Sequence, residues 1–276
     1  MIRWNNVSYV KNSRFLLQDI SVEMPAGQLT VVLGPNGAGK STFLRLCSKE
    51  MLPTSGMIEL HGKDLQNWST QDMALFRGVL SQSHPVAFPM DVAELVLMGR
   101  YPHKKRAALD HHDQHIVQEA LAECSVKHLN DRSTQFLSGG ELQRVQTARI
   151  LAQIWEDHPQ HPRILLLDEP TASLDPGYQH LCLLKAKKLA EQGVCVIAIL
   201  HDLNLAARYA DHIVFLKEGR LAGAGPMRDM MRESILRDVF SVEIHTVHDP
   251  RLEHPLIFTL GPQHQQLANE PKLRSL

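Results

Sequence analysis

Apolar residues in this chain fall into short blocks rather than long stripes. "LTVVLG" (29–34), "RILLLDEP" (163–170) and "VCVIAILHD" (194–202) are each bounded by turn-forming residues and are too short for helices, so they predict strands buried on both faces. Several such blocks precede helix-like stretches, the pattern of an α/β fold with a largely parallel sheet. "IRWNNVSYV", "LLQDISVEM" before the turn "PAGQ", and "GMIELHG" predict an antiparallel β layer towards the N-terminus. "HIVFLKEGRLAGAG" predicts a hairpin turning near Glu218 and Gly219.

From about 84 to 158 the strand signal fades and a helical period replaces it, with Leu142, Val145, Ala148 and Leu151 three residues apart. This stretch predicts an inserted helical subdomain, and the polar, proline-bearing "WEDHPQHPR" (155–163) returns the chain to the sheet. The expected organisation is one domain over 1–262: core 1–83 and 159–225, helical insert 84–158, and an extension over 226–262. That extension holds a helix, "MRDMMRESILRDVF", and two short strands around "HDPRLEHP"; 263–276 is expected to be a disordered tail. No internal repeat is visible.

Composition narrows the function. Lys plus Arg total 29 against 30 Asp plus Glu, so no global field draws the chain onto nucleic acid or anionic lipid. The run "VCVIAIL" is far short of the roughly 20 residues of a membrane-spanning helix, and "MIRWNNVSYV" lacks the apolar core of a signal peptide, which points to a cytosolic protein. Cys47, Cys124, Cys182 and Cys195 show no C-x-x-C spacing, which suits reduced, buried thiols rather than zinc. His111 and His115 lie four apart, but two histidines without a third ligand make a solvated helix face before they make a metal site.

The chemistry begins at "GPNGAGKST", Gly34, Pro35, Asn36, Gly37, Ala38, Gly39, Lys40, Ser41 and Thr42, between a predicted strand and a helix starting near Lys40. Glycines let backbone amides turn inward on an anion, and the helix start adds partial positive charge. Lys40 would reach the β- and γ-phosphates of a nucleotide and Ser41 would ligate Mg²⁺, making this the core of a P-loop NTPase. In "ILLLDEP", Asp168 ends an apolar strand and would hold the same Mg²⁺, while Glu169 points the other way and could act as general base on water. One strand later stands His201 in "AILHDLN", placed to sense the γ-phosphate.

"LSGGELQR" (137–144) poses a different problem. Ser138 and Glu141 form a capping box at a helix start, yet between them lie Gly139 and Gly140, each costing about 0.8–1 kcal/mol against alanine in a helix. Bare backbone at a positive helix end lets a phosphate approach closely. Because the Lys40 loop already serves this chain's own nucleotide, the glycines read as half of a site completed by a second copy.

Taken together and in this order, these motifs resemble the ATPase subunit of ABC transporters over about residues 1–225. The resemblance implies a homodimer holding two ATP with Mg²⁺ head to tail. It assigns Gln82 in "VLSQS" to the loop that touches Mg²⁺ or water and relays to a membrane subunit, "SLD" (173–175) to the D-loop with Asp175 among the nucleotide-binding residues, and Tyr9 to stacking on adenine. With no span of its own, such a subunit works through a separate polytopic permease dimer, fed indirectly by a periplasmic or surface substrate-binding protein, at the cytoplasmic face of the inner membrane. "VAELVLMGRYPH" (92–103) resembles a segment of ATPases of the iron-siderophore, heme and cobalamin importers, and "SVEIHTVHDPRLEHPLIF" resembles the heme branch. The remaining alternatives are siderophore or cobalamin import, or a soluble ABC ATPase acting on nucleic acid or ribosomes. The near-zero net charge and the lack of a coiled-coil insertion or a second ATPase unit speak against the last.

Overall fold

The computed structural model describes residues 1–81, 88–103 and 110–262; Gln82 and the tail 263–276 lie outside them. β1 (Ile2–Lys11) and β2 (Arg14–Met24) form a long hairpin, followed by β3 (Leu29–Leu33) and α1 (Lys40–Cys47). β4 (Ser55–Leu60), the two-residue β5 (Lys63–Asp64), α2 (Thr70–Ala74) and β6 (Arg77–Leu80) come next. The helical stretch holds α3 (Val92–Leu97), α4 (His111–Glu123) and α5 (Gly139–Gln153). Then β7 (Ile164–Asp168), α6 (Pro176–Glu191), β8 (Cys195–Ile199), α7 (Leu203–Tyr209), β9 (His212–Lys217) and β10 (Arg220–Pro226) complete the sheet. α8 (Met227–Met230), α9 (Glu233–Phe240) and the hairpin of β11 (Val242–Val247) and β12 (Leu256–Pro262) form the extension.

The fold is α/β. Six strands run in the order β10-β9-β3-β8-β7-β6, all parallel except β10 on one edge, and a separate antiparallel sheet runs β2-β1-β4-β5. Every residue of β3, β7 and β8 is buried, as a parallel sheet covered on both faces requires. Successive residues alternate between two cores. Val31 and Leu33 join Leu183 of α6, Ala206 of α7 and Leu236 of α9 on one face. Val32 on the other face joins Phe43 of α1 and Trp4 of β1, whose rings stack 4.2 Å apart between the two sheets.

The helices α3, α4 and α5 enclose a third core around Val96, Leu121 and Ala148. Arg100, just past α3, is its fastener. The guanidinium, 2% exposed, bonds Asp113 of α4 at 3.0 Å, the Ala152 carbonyl of α5 at 2.8 Å and Glu156 at 2.5 Å. His111 and His115 lie on the exposed face of α4, and no group of three candidate ligands for a metal occurs among the described residues.

One local expectation needs correction, and one strand was not foreseen. The single helix expected over 227–240 is broken into α8 and α9, because Met231 leaves helical geometry (ψ 48°) to drop into the core at 4% exposure and Arg232 is extended. The short edge strand β6, "RGVL", escapes a hydrophobic pattern because only two of its four residues are fully buried. Among the described residues no helix is long and apolar enough to cross a membrane.

Candidate active site

The parallel strands deliver their C-terminal ends to one crevice, the place where open α/β sheets bind ligands. After β3 the backbone turns at Gly34 with φ +154°, and a Cβ there would sit 2.1 Å from the Leu216 carbonyl oxygen, so glycine alone fits. The loop then feeds α1, whose first residue is Lys40 and whose start carries no side-chain cap. The free amides of that start remain available to an anion.

Lys40 is 7% exposed, and its ammonium donates to the carbonyls of Gly34 at 2.8 Å and Pro35 at 3.0 Å. Burial pushes its pKa down, while Glu169 and Asp168 pull it back up. Asp168, at the end of β7, is 5% exposed, and burial, then the neighbouring Glu169, raise its pKa, against a hydrogen bond from Ser41. Its Oδ1 is buried with no hydrogen-bond partner. A buried carboxylate with an orphaned oxygen beside a serine hydroxyl is costly by itself and suits a bound cation.

Glu169 takes a left-handed backbone (φ +54°), which turns it away from the direction of Asp168 and into the cleft. Its Oε1 lies 2.6 Å from Nε2 of His201, which follows β8. The segment is held from behind by Gln143 of α5, whose Nε2 donates to the Pro170 carbonyl at 2.7 Å and more distantly to that of Glu169 at 3.4 Å. The cleft of about 960 Å³ is lined by Pro35 to Thr42, Glu169 and His201, and also by Arg14, Phe15 and residues 239–241.

Other expected residues lie elsewhere. Tyr9 is half-buried, packs against the core between the sheets, and does not line the cleft; Phe15, six residues on and 53% exposed, does. Asp175 caps α6, accepting the Tyr178 amide at 3.1 Å. Ser138 caps α5: its hydroxyl accepts the Glu141 amide at 3.3 Å, while the Glu141 carboxylate accepts the Ser138 amide and hydroxyl at 2.8 Å each.

The two glycines after Ser138 separate in role. A Cβ on Gly139 would meet nothing within 4 Å, whereas one on Gly140 would lie 3.1 Å from the Ser173 carbonyl. Gly140 therefore packs closely against its own chain, while the Cβ position of Gly139 faces open space. Neither lines this chain's own cleft. Phe15 and Gln143 were missed in the sequence; the only hint was an apolar residue stranded in the polar turn "KNSRF".

Sequence comparison matches residues 17–172, over half the chain, to the family described as ABC transporter. The chain belongs to the ABC transporter family. As an ABC ATPase it hydrolyses ATP in the service of transport. It is 45% identical over 248 residues to the hemin import ATP-binding protein HmuV of Gloeobacter violaceus, covering 90% of each chain. Its identity to the protein of the same name from Pseudomonas aeruginosa is 41% over 257 residues, covering 93% of this chain and 99% of that one. Its backbone is similar to a chain of an inward-facing transporter described as of the metal-chelate type, with TM-score 0.78 at 25% identity, covering 96% and 98%. A dimeric ATP-binding cassette with ADP and Pi bound matches with TM-score 0.70 at 26% identity, covering 83% and 99%.

Proposed function

We propose that this ABC ATPase powers import of heme through a separate membrane permease, working as a homodimer at the cytoplasmic face of the inner membrane. The observation that carries the substrate is the 40–45% identity, across nine-tenths of the chain, to hemin import ATP-binding proteins. Open backbone at Gly139, outside the chain's own cleft, supports the second copy.

In this reading the glycine loop and the start of α1 hold the triphosphate, and Lys40 exchanges its bonds to Gly34 and Pro35 for phosphate oxygens. Ser41 and Asp168 would hold Mg²⁺, which neutralises phosphate charge when bound; the orphaned Oδ1 of Asp168 supports that fit. Gln82, beyond the described residues, is the proposed contact from this site towards the permease. Glu169 accepts a proton from water as its oxygen attacks the γ-phosphorus and the bond to the β-phosphate bridging oxygen breaks, giving ADP and phosphate. His201, bonded to Glu169, fixes that carboxylate. Ser138, Gly139 and the α5 start of the partner close over the γ-phosphate, with Asp175 at the interface between copies.

The test is ATPase activity of the chain reconstituted with its permease in liposomes, stimulated in turn by binding protein loaded with heme, a ferric siderophore or cobalamin. Heme-selective stimulation is expected. Stimulation by a siderophore or cobalamin alone would refute the heme reading and leave the importer reading intact.

A further inference from the structure

The short segment His201 to Asn204, between β8 and α7, is bonded in three directions. Nε2 of His201 lies 2.6 Å from Oε1 of Glu169. Asp202 caps α7, its Oδ1 accepting the amides of Asn204 at 2.7 Å and Leu205 at 3.0 Å. The Asn204 side chain turns the other way, to β12 of the C-terminal hairpin. Its Nδ2 donates to the Ile257 carbonyl at 3.1 Å, and its Oδ1 accepts the Ile257 amide at 2.8 Å.

Two bonds to one residue are what a neighbouring strand supplies. β11 and β12 form a sheet of two strands, so the edge of β12 away from β11 presents backbone donors and acceptors without a third strand to meet them. An amide side chain offers a donor and an acceptor in the spacing of a peptide group, whereas a carboxylate offers acceptors alone. Asn204 thus takes the place of a strand at Ile257.

The hairpin is a firm anchor. Ile244 and Ile257 join Leu205, Ala206 and Ala207 of α7 in the main core. On α9, Glu233 accepts the Thr246 amide at 2.6 Å and Arg237 donates to the Ile244 carbonyl at 2.9 Å. The start of α7 lacks such backing: His201, Asp202 and Asn204 are exposed and only Leu203 packs against the core. Its place therefore rests chiefly on the cap, on the Glu169 contact and on the Asn204 clasp.

We propose that Asn204 is a positioning residue for ATP hydrolysis: clasped to the Ile257 backbone, it fixes the start of α7 and so keeps His201 on Glu169. The proposal rests on the reading of Glu169 as general base and His201 as the residue that fixes it. It gives the C-terminal hairpin, which lies beyond the match to residues 17–172, a hold on the hydrolytic step.

The test is a cycle of Asn204→Ala, His201→Gln and the double variant in the full chain, with turnover followed by release of radiolabelled phosphate so that slow rates are read. Small misplacements of a reacting group are costly, and N204A is expected to lower kcat at least about fivefold with KM for ATP changed less than about twofold. With His201 already replaced by glutamine, the same substitution is expected to lower turnover less than about twofold, since nothing is left to position. Equal fold-losses in the two backgrounds, an effect confined to KM, or an undiminished kcat would overturn the positioning role. Asn204→Asp keeps the size and the acceptor and removes the donor, so it reads the same step should N204A fail to fold; its kcat is expected to fall likewise, and full kcat would overturn the proposal. Unchanged turnover in His201→Gln alone would instead bring down the underlying reading of His201.

Discussion

Replacing Arg100 by methionine keeps the bulk of the side chain and removes its charge from the core of the helical layer. The substitution deletes the 3.0 Å pair with Asp113, the 2.8 Å bond to Ala152 and the 2.5 Å bond to Glu156, at a site where both Arg100 and Asp113 are 2% exposed. Breaking a buried pair from one side costs about 3–5 kcal/mol. Asp113 keeps the Asp110 amide at 3.2 Å, which places the loss at the low end, about 3 kcal/mol. For a chain of 276 residues the unfolding entropy is about 0.6 kcal/mol per kelvin, so Tm should fall by about 5 °C. Thermal unfolding by circular dichroism measures this, and Arg100→Met combined with Asp113→Asn should recover part of the loss, because the buried carboxylate that loses the guanidinium is then gone. A Tm within about 1 °C of the parent would refute the claim that this ion pair fastens the helical layer.

Glu169→Gln should cut ATP turnover by about 10²–10³ while retaining ATP binding, and should leave an ATP-bound dimer by light scattering; unchanged turnover would dismiss Glu169 as the base. Gly139→Ala should raise Tm by up to about 1–2 °C yet weaken ATP-dependent dimerisation, whereas Gly140→Ala should lower Tm, since its Cβ must push the Ser173 carbonyl from 3.1 Å; identical behaviour of the two would undo the division of roles. The His61 imidazole, packed among His161, Trp68 and Phe76, is pushed down to about 4, chiefly by burial. The unfolded chain takes up this proton near 6.5 and the folded chain only near 4, so its contribution is present above pH 6.5 and is lost as pH falls through that window. Denaturant titrations of the parent and His61→Phe should differ in pH slope there by of order 2 kcal/mol in total, and parallel slopes would contradict it.

The central sheet was legible because β3, β7 and β8 are buried on both faces and so appear as unbroken apolar runs. β6 and the break between α8 and α9 were not, since each depends on a neighbour remote in sequence: β6 on its pairing with β7, and Met231 on the core it enters. At the site, Lys40, Ser41, Asp168, Glu169 and His201 follow from local grammar, glycines before a helix and polar residues ending apolar strands. Gly140 shows the limit of that grammar. Its spacing from Ser138 suggests a phosphate, but its neighbour is a carbonyl 33 residues on. Phe15 and Tyr9 make the same point, because which aromatic borders the cleft is decided by the β1–β2 register, with Tyr9 opposite Leu17 and Phe15 opposite Val10.

The anchoring of α5 behind Glu169 has a consequence for timing. Gln143 bonds the backbone at Pro170, and Gly140 abuts Ser173, so in the proposed reading the surface offered to a neighbour's nucleotide is tied directly to the segment that carries Glu169. A shift of one pulls on the other. A pair of such chains has one opening coordinate rather than two independent ones, and occupancy of either nucleotide is felt at both. Turnover plotted against ATP concentration should then rise more steeply than a simple hyperbola.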